Sequence, residues 1–163
     1  DNKINEKLIV KSRNVTQKRL ELCGIKKIEE IIIPHKENIL CNKIQICINR
    51  NVDIILIIGP HAITHIKDVI PNAISKSGAK IIRFGIPVEP GNLLLLSKFK
   101  SSNKDIYIIG MPSCAKSPKE NGLDWVLWRI LCNINFKNSN LNECNPKCHF
   151  KKWSKNNQIW HSC

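Results

Sequence analysis

The sequence predicts an α/β fold with a mostly parallel sheet. Three observations carry this expectation. The hydrophobic period switches repeatedly between helix-like and strand-like along the chain. The run VDIILIIG (52–59) has no polar face after Asp53, as a strand covered on both sides by helices should. The length of 163 residues and a hydrophobic content of 42% suit one domain with a single buried core.

The elements follow in order. Residues 8–22 set Leu8, Val15, Leu20 and Leu22 among Lys and Arg, with Gly24 as a stop, which predicts an amphipathic helix. KIEEIIIP (27–34) predicts a strand closed by Pro34, and residues 37–49, with Ile39, Leu40, Ile44, Ile46 and Ile48, a second helix. VDIILIIG is the candidate central strand. DVIPNAISKSG (68–78) predicts a short helix between an Asp68 N-cap and a Gly78 stop. AKIIRFGIP gives a further strand, PGNLLLLSKF a turn and then an apolar helix or strand, and DIYIIG (105–110) the last clear strand. From about residue 133 the periodicity ends, so the expected organisation is a domain over 1–133 and an irregular tail over 134–163.

Net charge is +13, which brings nucleic acid into consideration as a partner. The lysines are scattered through every predicted helix and loop, aromatics are 6% of residues, and no nucleic-acid motif appears, so the charge reads as solvated surface with no specific nucleic acid. A basic nucleic-acid-binding or interaction module remains the alternative. No apolar run approaches the length of a membrane span and the N-terminus has no signal-peptide core, which predicts a soluble, cytoplasmic chain without a membrane partner. The chain begins without Met and runs straight into a helical pattern, so an upstream piece is expected. Eight Cys in a chain with no secreted, loop-rich profile predict free thiols, with Cys23, Cys41 and Cys47 in helices or at their ends.

Two loops carry chemistry. Ser117-Pro118-Lys119-Glu120 has the form of a capping box, which predicts a helix from Pro118 with Leu123, Val126, Leu127, Ile130 and Leu131 on one face. Met111–Lys116 is then a strand-to-helix crossover at the carboxyl edge of the sheet, where helix starts favour anions. A well-capped crossover without ligand is the plainer reading. Cys114 is a candidate nucleophile near a helix start, though no His or Asp accompanies it in sequence. The second loop, GPHAITHIKD (59–68), leaves the candidate central strand in the same direction. His61 and His65 have the spacing of a metal pair but lie in a loop. Asp68 reads either as a plain helix cap or as a carboxylate that holds Mg²⁺ at a phosphate site.

Taken together, GPHAITHIKDVIPNAISKSGAKIIRFGIPVEPGNLLLL and IIGMPSCAKSPKENGLDWVLWRIL resemble the molybdopterin-binding domain of molybdenum cofactor biosynthesis proteins, in the form fused to a molybdenum cofactor nucleotidyltransferase. The resemblance covers roughly residues 8–132. It implies a three-layer α/β/α fold that binds molybdopterin across the carboxyl edge of the sheet. It places cofactor-binding positions at Gly59, Pro112, Ser113, Cys114, Ser117 and Pro118, and a catalytic and Mg²⁺-binding position at Asp68. Mg²⁺ and ATP enter because one branch of the family transfers an adenylyl group to the pterin phosphate. A nucleotidyltransferase domain or chain is the implied partner, and a homo-oligomer is compatible.

Three departures bear on activity. The family's first strand and its following loop, which carries another functional Asp, are absent from this chain. Pro60-His61 replaces a pair of small residues, and Ser113 stands where Gly is usual, adding a Cβ where backbone would be close or φ positive. The resemblance thus implies binding ahead of catalysis. In the tail, Cys144, Cys148, His161 and Cys163 approach a zinc spacing, but the last pair is too close for an ordinary finger, so zinc is not expected.

Overall fold

A computed structural model describes residues 2–25 and 28–132. Their element order is helix α1 (Asn2–Leu22), helix α2 (Glu37–Asn49), strand β1 (Ile54–Ile57), helix α3 (Val69–Lys76), strands β2 (Lys80–Phe84), β3 (Leu95–Lys100) and β4 (Asp105–Gly110), a 3-10 turn (Ser113–Lys116) and helix α4 (Gly122–Leu131). The zinc spacing and the tail lie outside the described residues.

The fold is α/β with a four-stranded mixed sheet in the order β1-β4-β3-β2. β1 and β4 are parallel, with Ile57 opposite Gly110, while β3 is antiparallel to both β4 and β2. Three strands share one direction, but only one of the three pairings is parallel, so the sheet is mixed and not the mostly parallel one expected. PGNLLLLSKF resolves into a turn and strand β3, whose Ser97 is buried and donates its hydroxyl to the Ile108 carbonyl at 2.6 Å.

Alternation along the strands sends successive side chains to opposite sheet faces. One core gathers Ile57, Leu95, Ile106 and Ile108 with Leu40, Ile44 and Ile48 of α2 and Ile70, Ala73 and Ile74 of α3. The other gathers Leu94, Leu96, Ile109 and Met111 with Leu123, Val126 and Leu127 of α4 and Leu20 of α1. Each fully buried Leu or Ile contributes about 1.5–3 kcal/mol. Gly24 and Gly78 end α1 and α3 at positive φ, +77° and +89°, as their positions predict.

Two further expectations are corrected. Residues 28–34 form no strand: they join no ladder among the described residues, and Ile28, Ile31 and Ile32 are exposed. An extended segment becomes a strand only through a neighbour's N–H and C=O groups. β1 is also not central. It pairs with β4 alone and is an edge of the sheet among the described residues. No helix among those residues is long and apolar enough to cross a membrane.

Candidate functional site

The register of β1 against β4 places the loops that follow them side by side at one sheet edge. Two strand-terminal glycines permit this. A Cβ on Gly59 would lie 2.9 Å from Ile70 Cδ1, and one on Gly110 would lie 2.6 Å from Ile63 Cδ1 and 3.1 Å from Leu95 Cβ. Ile63, from the middle of GPHAITHIKD, is buried against the end of β4 and anchors that loop.

The loops are also joined directly. Lys116 Nζ donates to the Gly59 carbonyl at 3.0 Å and to the Pro60 carbonyl at 3.3 Å. From below, the buried guanidinium of Arg19 holds the 111–121 loop. It pairs with Asp124 and donates to the carbonyls of Ala115 (2.9 Å), Ser117 (3.1 Å) and Lys119 (3.2 Å). One α1 side chain thus holds three alternate carbonyls of the loop. The arrangement is missed from sequence, because an Arg in a Lys-rich amphipathic helix reads as surface.

The capping reading of Ser117 is corrected. Helix α4 starts at Gly122, and its N-cap is Asn121, whose Oδ1 accepts the Leu123 N–H at 3.0 Å while Asp124 Oδ2 accepts the Asn121 N–H at 2.8 Å. The Gly122 N–H donates to the Pro90 carbonyl at 2.9 Å. Asn121 is the better cap because its N3 residue, Asp124, is pinned by Arg19, whereas Glu120 turns away to accept from Trp125 Nε1 at 2.6 Å. The first amides of α4 are therefore buried and used within the chain, and do not face the edge. Ser117 instead accepts the Lys119 N–H at 3.3 Å in a local turn.

A third wall was not foreseen. The β2–β3 connection reaches the same edge, and its Gly91, at φ +122°, packs on Gly122 so closely that a Cβ would lie 2.5 Å from the Gly122 nitrogen. The signal was the pair PGN (90–92) and NGL (121–123), each a glycine beside an asparagine.

The predicted positions fall as follows. Gly59 and Pro112 are buried, Cys114 and Ser117 partly buried, and Ser113 and Pro118 exposed. All lie on or beside the two loops. Ser113 has no positive φ, so its side chain imposes no backbone strain. Burial pushes the Cys114 thiol up from its ordinary range, the opposite of an activated nucleophile.

Asp68 occupies the N-cap position of α3 but makes no side-chain cap to it. Its Oδ2 turns back to accept the N–H groups of Thr64 and His65, each at 2.9 Å. The His65 N–H, with that of Thr64, holds the carboxyl below its usual range. His65 Nδ1 accepts the Lys67 N–H at 3.0 Å, and the described residues contain no group of three metal-ligating side chains. Asp68 offers a carboxylate oxygen on the 59–68 loop, which suits Mg²⁺ only when nucleotide phosphates and water complete its shell. A shallow, open concavity along α1, lined by residues between Glu6 and Val15, holds no candidate residue. No family model, curated protein or solved structure matches this chain.

Proposed function

We propose that this chain binds molybdopterin at the carboxyl edge of its sheet, with the three-layer α/β/α arrangement of molybdenum cofactor biosynthesis domains. One observation carries the reading: the loops 59–68 and 111–121, on which the resemblance rests, leave adjacent parallel strands and are tied to each other through Lys116. Ligands of open α/β sheets bind outside the carboxyl ends of such strands.

In this reading the exposed backbone and hydroxyl of Ser113, with Cys114 and Ser117, receive the pterin phosphate, and Lys116, which bridges the two loops, supplies a positive charge. Gly59 and Pro112 let the loop backbones stand close together. Asp68 holds Mg²⁺ when a nucleotide is also bound, neutralising its phosphate charge. The function proposed is binding.

The test is calorimetric titration of the whole chain with molybdopterin under reducing, anaerobic conditions. Saturable heat is expected, weakened at least tenfold by Lys116→Met and preserved by Ser113→Gly. Absence of heat at millimolar ligand contradicts the reading.

A further inference from the structure

The third wall of the edge carries a carboxylate that the chain leaves unused. Between Glu29 and Asp124 the carboxylates of this basic chain are otherwise engaged: they pair with Arg or Lys, accept loop amides or accept an indole N–H. Glu89 is the exception in that span. It is exposed and makes no hydrogen bond or ion pair among the described residues. An ionised carboxylate only accepts hydrogen bonds, so an unpartnered one is a place for donors.

The position of Glu89 is fixed by its neighbours. The β2–β3 connection narrows beyond the strands, where the Gly85 N–H donates to the Leu94 carbonyl (2.9 Å) and the Ile86 N–H to the Asn92 carbonyl (2.8 Å), leaving Glu89 near the tip. On one side of it, Val88 joins the core cluster that holds Met111 and Ala115 of the 111–121 loop. On the other, the Pro90 carbonyl accepts the Gly122 N–H and Gly91 packs on Gly122. Glu89 therefore stands beside the loop that carries Ser113 and Cys114, and its charge adds to the burial that pushes the Cys114 thiol up.

The chemistry that suits it follows. With a phosphate on Ser113, Cys114 and Ser117, a further anionic group beside Glu89 would be repelled. A neutral ring edge with two parallel N–H groups fits instead, because a carboxylate accepts such a pair as a fork. The 2-amino-4-oxopyrimidine ring common to pterins and guanine has that edge, a ring N–H beside an exocyclic amine. We infer that Glu89 accepts the ring N–H and the 2-amino group of such a ring, and so selects the ring whose phosphate the 111–121 loop receives. The assignment rests on the ligand-binding reading of this edge.

The test titrates the full chain with two pairs of ligands that differ at the 2-position: 6-hydroxymethylpterin phosphate against its 2-oxo (lumazine) counterpart, and GMP against IMP. In at least one pair the amino member should bind at least about tenfold more tightly, since its analogue leaves the carboxylate without a donor; the pair that shows the preference identifies the ring. Glu89→Gln should abolish the preference while leaving the thermal midpoint unchanged. No preference in either pair, or a preference that survives Glu89→Gln, would overturn the inference. Molybdopterin separates this inference from the reading it rests on. Molybdopterin affinity unchanged by Glu89→Gln refutes the role of Glu89 and keeps the ligand reading. A Glu89-dependent preference for GMP in a chain that takes no molybdopterin does the reverse.

Discussion

Arg19 is the residue on which the candidate site most depends. It is buried, pairs with Asp124, and satisfies three carbonyls of the 111–121 loop. Arg19→Met leaves a buried carboxylate uncompensated, and urea unfolding should show a loss of about 3–5 kcal/mol. The double variant Arg19→Met/Asp124→Leu should recover part of that loss, because no lone buried charge remains. Asp68 gives a pH prediction. Its folded carboxyl lies below the unfolded value of about 3.9, so its contribution is present above that value and is lost as pH falls through the folded pKa. Carboxyl-carbon NMR should give an Asp68 midpoint below those of solvated Asp residues, and the stability difference between the chain and Asp68→Asn should shrink below about pH 4. Neither role was legible in the sequence. A local pattern identifies a cap position, but the direction in which a carboxylate turns depends on a loop fold fixed by Ile63, five residues upstream.

At the level of elements, the contrast between Asn121 and Ser117 is the sharpest check. Asn121→Ala should cost about 0.5–2 kcal/mol through loss of the α4 cap, whereas Ser117→Ala, outside any helix, should stay within about 0.5 kcal/mol. Equal losses in chemical denaturation would restore a helix start at Pro118. Both Ser117-Pro-Lys-Glu120 and Asn121-Gly-Leu-Asp124 satisfy a local capping pattern. The choice between them is tertiary, made by Arg19 from about a hundred residues away and by Gly91 against Gly122. Strongly periodic segments were legible: DIYIIG is β4 to the residue, and residues 37–49 are α2. KIEEIIIP was not, because its apolar, β-branched composition reports a preference for pairing and not whether a partner strand is present. VDIILIIG was read correctly as a strand and incorrectly as central for the same reason.

For the molecule as a whole, the α/β class was legible because alternating hydrophobic periods report elements directly, while the antiparallel β3 was hidden in the uniformly apolar LLLL, which has neither period. The charge of +13 predicts weak, sequence-independent DNA binding that vanishes near physiological salt; tight sequence-selective binding there would favour the nucleic-acid reading instead. The central claim is that the two loops after β1 and β4 form one ligand wall. Hydrogen exchange read residue by residue, with and without molybdopterin under anaerobic conditions, tests it most directly. Slowed exchange in residues 59–68 and 111–121 together is the predicted result. Unchanged exchange in both loops at saturating ligand, or protection of only one, would contradict it.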